Sequence, residues 1–421
     1  MAEQKQQNVL VGLRGLNNLG NTCFMNSVLQ ILLKCPPVAH FFLTDNHNRF
    51  ECMTRMAESM GERVGERGEG AAERQACLAC EMDLLFTQCF SGKQAPFSPH
   101  SFLHTMWSTA EHFAGYEQQD AHEFLIAALA AIDAGIAQPI RRSPTMAWDS
   151  KPVAECVPCR ADLAKIFTGV MRSEVTCLQC KKKSTKFEEF NDVSIDLSRA
   201  PSIPAGAMGG GASGAAGAPA PGDCVASGAG ESVDAYHPSL AACLRAFTRA
   251  ERLGSTERCW CASCNSLQDS AKQLSFHRLP AVLCFQLKRF RHSAQSKTLT
   301  SATKIEAFVE FPLHSLNMRP HMSAAVGAGA GADGPAAAPG TNGINGGAAD
   351  PAPVEPLPEQ LYDLFGVAIH HGTMQTGHYT AYVRSQAEWF HCDDALVSPS
   401  GEEAVRNCKA YLLFYVAKRF S

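Results

Sequence analysis

Apolar residues in Cys23 to Lys34 (CFMNSVLQILLK) recur at helical spacing, and Pro36 and Pro37 stop the pattern. Gln119 to Ile132 (QDAHEFLIAALAAI) predicts a second, amphipathic helix. Later in the chain the period changes. Pro280 to Arg291 (PAVLCFQLKRFR) has an apolar run followed by alternation. Tyr362 to His370, His378 to Arg384 and Ala410 to Val416 are short, rich in β-branched and aromatic residues, and bounded by Gly or polar turns. The chain thus reads as mainly helical over block 1–200 and as strands over blocks 233–322 and 357–421. That is an α+β fold with an antiparallel sheet late. Between the blocks, Pro201 to Ser232 and Ser323 to Pro356 consist mostly of Gly, Ala, Pro and Ser. They lack the apolar surface to offset their ordering entropy, so disordered inserts are expected at 201–232 and 323–356. No internal repeat is visible.

Composition narrows the function classes. The 421 residues are 45% hydrophobic and 19% charged, enough for a sizeable core. Lys and Arg number 37 against 41 Asp and Glu, a formal charge of −4. That balance argues against non-specific nucleic-acid or anionic-membrane binding. No apolar run is long enough for a bilayer span, and Met1 to Val11 lacks the apolar core of a signal peptide. Eighteen cysteines then read better as metal ligands in a reducing compartment than as a disulfide framework.

Cys23 stands out among them. It follows the Gly- and Asn-rich stretch Gly15 to Thr22 and opens a helix, where the helix dipole favours the reactive thiolate. Asn18 is placed to donate to an oxyanion. The competing reading is a small residue buried at a helix start. A thiolate nucleophile needs a base and an orienting group. His378, in Gly377-His378-Tyr379, opens an alternating strand beside a loop, and Asp393 and Asp394 end the stretch Trp389 to Asp394. His370 and His371 remain rival bases on spacing alone.

Cys177-x-x-Cys180 and Cys261-x-x-Cys264 together supply four thiolates, a closed tetrahedral zinc set, with Cys259 as an alternative ligand. Cys77-x-x-Cys80 with His47 and Cys52 makes a candidate set of three thiolates and one imidazole. Cys156-x-x-Cys159 has no evident partners, and free thiols are an equal reading for it. All of these would be structural, since none leaves a ligand position open for catalysis.

Six motifs in order resemble the ubiquitin-specific protease family of cysteine deubiquitinases. They are Gly15 to Ser27, Tyr116 to Leu125, Leu279-Pro280 leading to Leu287 to Phe290, Gly377 to Tyr379, Trp389 to Asp394, and Tyr411 to Tyr415. The resemblance implies a papain-like catalytic domain over 12–421, with a thumb, a palm and zinc-tipped fingers. It implies Cys23 as nucleophile, His378 as base, Asp393 as orienter and Asp394 as a supporting carboxylate. Asn18 would serve the oxyanion, and Asp120, Gln119 and Tyr379 would bind the ubiquitin tail. The cofactor implied is structural zinc, and the partner is ubiquitin on a modified protein.

Within that family the chain is most similar to the deubiquitinase subfamily of the SAGA coactivator. The stretches that carry this are Ala114 to Leu129, Ile166 to Gly169, Cys243 to Arg249, Lys272 to Leu274, Cys284 to Ser293 and Trp389 to Ala395. The likeness implies histone 2B as substrate, SAGA-type adaptor subunits as partners, and the nucleus as location, with the cytoplasm second. The His47, Cys52, Cys77, Cys80 set resembles an extra zinc site of that group. One departure is expected to matter for docking. The subfamily carries an N-terminal ubiquitin-type zinc finger, whereas here the matching region begins near residue 12 without one, as in a truncated chain or a shorter relative. Two other classes stand beside the enzyme. A non-catalytic ubiquitin-binding scaffold is opposed by the intact Cys23, His378 and Asp393. A nucleic-acid zinc module is opposed by the near-neutral charge.

Overall fold

The computed structural model describes residues 12–50, 52, 77–137, 163–197, 238–254, 256–291, 303–323, 360–373 and 376–420. The two low-complexity inserts, apart from Ser323, lie outside these residues, as does Cys156-x-x-Cys159.

The early helices are α1 (Cys23–Leu33), α2 (Pro36–Leu43), α3 (Leu78–Cys89), α4 (His100–Thr109) and α5 (Ala121–Ile136). α1 is buried at every one of its 11 positions. A helix buried all round needs neighbours on every side. It finds them in α5 and in the sheet below. Phe24 of α1 packs edge-on against Phe124 of α5, ring centres 5.4 Å apart. The second helix starts at Ala121, two residues later than its pattern predicts. Asp120 is its N-cap and stands outside it, accepting from the His122 and Glu123 N–H groups.

The first block is not helical throughout. It ends in the strands β1 (Gly169–Cys177), β2 (Lys183–Phe190) and β3 (Val193–Ile195). β2 is largely exposed and β1 mostly half-buried, so neither shows a clear alternation in sequence. β1 pairs antiparallel with β2 and with β4 (Ser270–Arg278), and Glu251–Arg252 adds a fourth strand. One Cys-x-x-Cys turn lies at the end of this narrow sheet, and the other in a separate two-stranded hairpin that precedes β4. The first joins β1 to β2, and the second lies in the hairpin of Cys259–Cys261 with Ser266–Gln268.

The larger sheet has eight strands. Along it run β9 (Leu396–Ser400), β8 (Glu388–Asp393), β7 (Gly377–Ser385), β6 (Leu361–Gly372), β10 (Ala410–Ala417), β5 (Val282–Leu287) and β3. Leu316–Asn317 pairs beside β6. β10 is buried along its whole length. Leu412, Phe414 and Val416 face the helices, while Leu413, Tyr415 and Ala417 face a second core behind the sheet. Burial on both faces explains its unbroken apolar run. Two helices, Leu240–Thr248 and Glu402–Arg406, fall in the blocks read as strands. No described helix is long and apolar enough to cross a membrane.

Candidate active site

The site forms where the N-terminus of α1 meets the end of the β6–β7 hairpin. Cys23 is 3% exposed. Burial pushes its thiol above the ordinary range. The nearby Tyr379 backbone opposes this, and the Asp394 carboxylate adds to it. The direction is opposite to the one expected from a helix start alone. Cys23 thus lies near the backbone of the residue that follows His378.

His378 Nε2 lies 2.6 Å from Asp393 Oδ1. The two rival histidines are placed otherwise. His370 is buried, its ring against Phe290 and Tyr379. Burial, helped by Lys304, lowers it to about 4. His371 sits opposite His378 across the hairpin, with Nε2 3.4 Å from Thr380 Oγ1. Among the described residues, His378 is the one of the three hydrogen-bonded to a carboxylate.

Asp394 does something different from Asp393. Its Oδ2 accepts from Asn18 Nδ2 at 2.8 Å and its Oδ1 from Asn26 Nδ2 at 2.8 Å. Its backbone carbonyl accepts from Leu16 N–H at 2.9 Å. It thus ties the loop before Cys23 to the end of β8. Gly15 makes the approach possible, because a Cβ there would overlap the Ala395 carbonyl. Asn18 is held on its oxygen side too, where Oδ1 accepts from Gly20 and Thr22 N–H at 3.0 and 3.1 Å.

Asp120 is equally engaged. Beyond its N-cap bonds, Oδ2 accepts from the Tyr411 hydroxyl at 2.5 Å. Tyr411 accepts from Gln286 Nε2 at 3.0 Å, and Gln286 Oε1 accepts from Ser194 at 2.6 Å. This chain links the start of α5 to three strands of the large sheet. Tyr379 has its ring buried against Tyr411 and His370, so its backbone is the part that meets Cys23. Gln119 is half-buried beside Gln118.

Gln118, Asn26 and Tyr411 were not singled out in sequence. All three lie inside or beside motifs quoted above, but a motif does not tell a side chain that faces substrate from one that braces backbone.

Both metal sets assemble. The ligand atoms of His47, Cys52, Cys77 and Cys80 lie within 4.8 Å of one another, all four residues buried. Those of Cys177, Cys180, Cys261 and Cys264 do the same, although the pairs come from separate turns. Cys259 stays outside, its thiol directed to Glu257 O at 3.8 Å. Three thiolates with an imidazole, and four thiolates, are donor sets that fit structural zinc at this spacing.

The model of the family described as ubiquitin carboxyl-terminal hydrolase matches residues 14–415. Human ubiquitin carboxyl-terminal hydrolase 22 is 37% identical over 412 residues, covering 97% of this chain and 66% of that protein. Ubiquitin C-terminal hydrolase 22 of Arabidopsis thaliana is 35% identical over 407 residues, covering 96% and 64%. The chain therefore spans just under two thirds of the length of these relatives. Among solved structures, the SAGA DUB module of Ubp8, Sgf11, Sus1 and Sgf73 bound to monoubiquitin aligns with a TM-score of 0.64 at 26% identity. That match covers 97% of this chain and 70% of that one. The same module bound to ubiquitin aldehyde gives 0.60 at 25% identity, with 97% and 70% covered. The family model and the shared fold span the same helices, sheet and site, and the chain belongs to the ubiquitin carboxyl-terminal hydrolase family, as a ubiquitin-specific protease domain.

Proposed function

We propose that this chain is a thiol-dependent deubiquitinase that hydrolyses the isopeptide bond after the C-terminal glycine of ubiquitin. The observation that carries the reading is the array in which Asp393 holds His378 at 2.6 Å while the backbone of the next residue, Tyr379, lies close to the Cys23 thiol. With Nε2 committed to Asp393, Nδ1 of His378 is left to take the Cys23 proton. The sulfur attacks the glycine carbonyl, and the carbonyl electrons move onto oxygen. One N–H of Asn18 goes to Asp394, and the other is free to meet that oxyanion. As the tetrahedral adduct collapses, His378 returns the proton to the lysine nitrogen and the amine leaves. A water, deprotonated by His378, then attacks the thioester, releasing the ubiquitin carboxylate and restoring the thiol. Asp120, Gln119 and the Tyr379 backbone border the path of the ubiquitin tail. The two zinc sets brace the fold and take no part in these steps.

The reading extends to histone 2B as the ubiquitinated substrate, to SAGA-type adaptor subunits and to the nucleus. Support for this comes from the likeness to the Ubp8 module, which holds Sgf11, Sus1, Sgf73 and monoubiquitin. Release of a fluorophore from the C-terminus of ubiquitin tests the core activity. Turnover by the wild type and none by Cys23→Ala is expected, with ubiquitin binding retained. Hydrolysis by the variant would sink the assignment of the nucleophile.

A further inference from the structure

The side chain of Gln118 makes a two-bond clamp on the residue before His378. Its Nε2 donates to the Gly377 carbonyl at 2.6 Å, and its Oε1 accepts from Gly377 N–H at 2.7 Å. A primary amide facing a backbone amide in this way satisfies both of its polar groups at once. Gly377 has no room for a side chain, since a Cβ would overlap the His370 ring. The hairpin end is therefore fixed between His370 on one side and Gln118 on the other. Lys304 anchors the opposite strand, donating to the carbonyls of His370 and Gly372 at 2.8 and 3.0 Å. Two residues before Gln118, the Tyr116 carbonyl accepts from Asn21 Nδ2 at 2.8 Å, within the loop that leads to Cys23. The segment Tyr116 to Gln118 thus touches the nucleophile loop with one end and the base hairpin with the other.

Building on the hydrolase reading, we infer that Gln118 is a positioning residue that sets the base against the nucleophile through the Gly377 backbone. Its neighbour Asp120 starts the helix that borders the tail path, so one short segment registers tail, thiol and imidazole together. Small errors in such registration cost rate far more than binding.

Gln118→Met keeps the reach of the side chain and removes both bonds. Its kcat is expected to fall by about tenfold or more with KM within about twofold of wild type. Zinc content should not change. Gln118→Glu gives the sharper readout. When protonated, its carboxyl can donate and accept as the amide does, and when ionised it meets the Gly377 carbonyl with another acceptor. The kcat of Gln118→Glu relative to wild type should therefore rise as pH falls toward the carboxyl range, while the same ratio for Gln118→Met stays flat. A wild-type kcat in Gln118→Met would overturn the inference, and so would a flat ratio for Gln118→Glu. Hydrogen exchange of the Gly377 amide checks the clamp without any turnover. It should quicken about tenfold or more in Gln118→Met, and unchanged exchange would also overturn the inference. If the wild type hydrolyses no ubiquitin substrate while the exchange result holds, the hydrolase reading fails and the clamp stands.

Discussion

Asp394 and Asn26 meet through a 2.8 Å hydrogen bond across 368 residues of sequence, joining the end of β8 to the first turn of α1. Asn26 Nδ2 also lies 3.3 Å from the carbonyls of Leu16 and Asn17. A single amide therefore gathers the carboxylate and the loop that carries Asn18. Adjacent aspartates have divided the work, with Asp393 on the imidazole and Asp394 on the loop before Cys23.

Asp394→Ala removes two charge-assisted bonds and leaves Asn26 Nδ2 only its longer 3.3 Å contacts with the Leu16 and Asn17 carbonyls. Each such bond contributes about 1.5–3 kcal/mol, less where solvent reaches it. A loss of stability on the order of 2 kcal/mol is expected, read from denaturant unfolding. Labelling of Cys23 by a ubiquitin electrophile should slow, because both Asn18 and the start of α1 lose their tie. Asp393→Asn should instead cost turnover with little change in stability, its bond lying at a half-exposed site. Equal effects of the two substitutions on stability would contradict the division of labour.

The raised Cys23 thiol sets a pH dependence for the free protein. A group held above its ordinary range is mostly protonated at neutral pH. The thiolate fraction then grows about tenfold per pH unit until the pH passes the raised value. Alkylation of Cys23 by iodoacetamide, followed by mass spectrometry at that site, should therefore keep climbing beyond the pH at which an ordinary thiol levels off. A plateau at or below neutral pH would show that the helix dipole prevails over burial. Cys35 and Cys284 are fully buried with raised thiols and should stay unlabelled.

The sequence showed the helix of Cys23 because its apolar positions are dense and its stop signal is Pro-Pro. It showed the late strands because they alternate or run apolar without break. It did not show β1 and β2, whose outward faces are too polar to mark a period. The candidate site residues were readable as motifs, since the chemistry of thiol, imidazole and carboxylate restricts them to few residue types. The supporting contacts were not. Gln118 and Gln119 look alike in sequence, and nothing local says that one clamps Gly377. By resemblance Asp120 is expected to bind substrate, yet its carboxylate already serves three protein donors. Such partners come from strands hundreds of residues away, which only the packed sheet brings near.

The two ligand sets make a stoichiometric prediction. The described residues supply two closed sites, so metal analysis of the purified chain should find at least two zinc ions. Cys80→Ser and Cys180→Ser should each lose one, from different sites. Cys259→Ser should lose none, because that thiol lies outside the set. Loss of the four-thiolate ion should loosen the end of the narrow sheet, because it would no longer tie that end to the separate hairpin of two three-residue strands that holds the second Cys pair. An unchanged zinc count in Cys180→Ser would refute the four-thiolate site.

His370 gives the protein an acid sensitivity whose sign follows from its setting. Burial first, and Lys304 second, hold the imidazole at about 4, well under its ordinary 6.5. Between those values the unfolded chain binds a proton that the folded chain refuses. Stability linked to His370 is therefore fully present above about pH 6.5, falls as the pH drops toward 4, and changes no further below that. The slope for one proton is about 1.4 kcal/mol per pH unit, so the full effect is about 3 kcal/mol at most. His370→Gln removes the titration while keeping a polar side chain. Its lost ring contacts with Tyr379 and Phe290 should lower stability at every pH by the same amount. The difference in unfolding free energy between wild type and His370→Gln should then be constant above pH 6.5 and shrink steadily down to pH 4. A difference that stays constant across that window would mean that His370 takes up its proton in the folded chain at an ordinary pH.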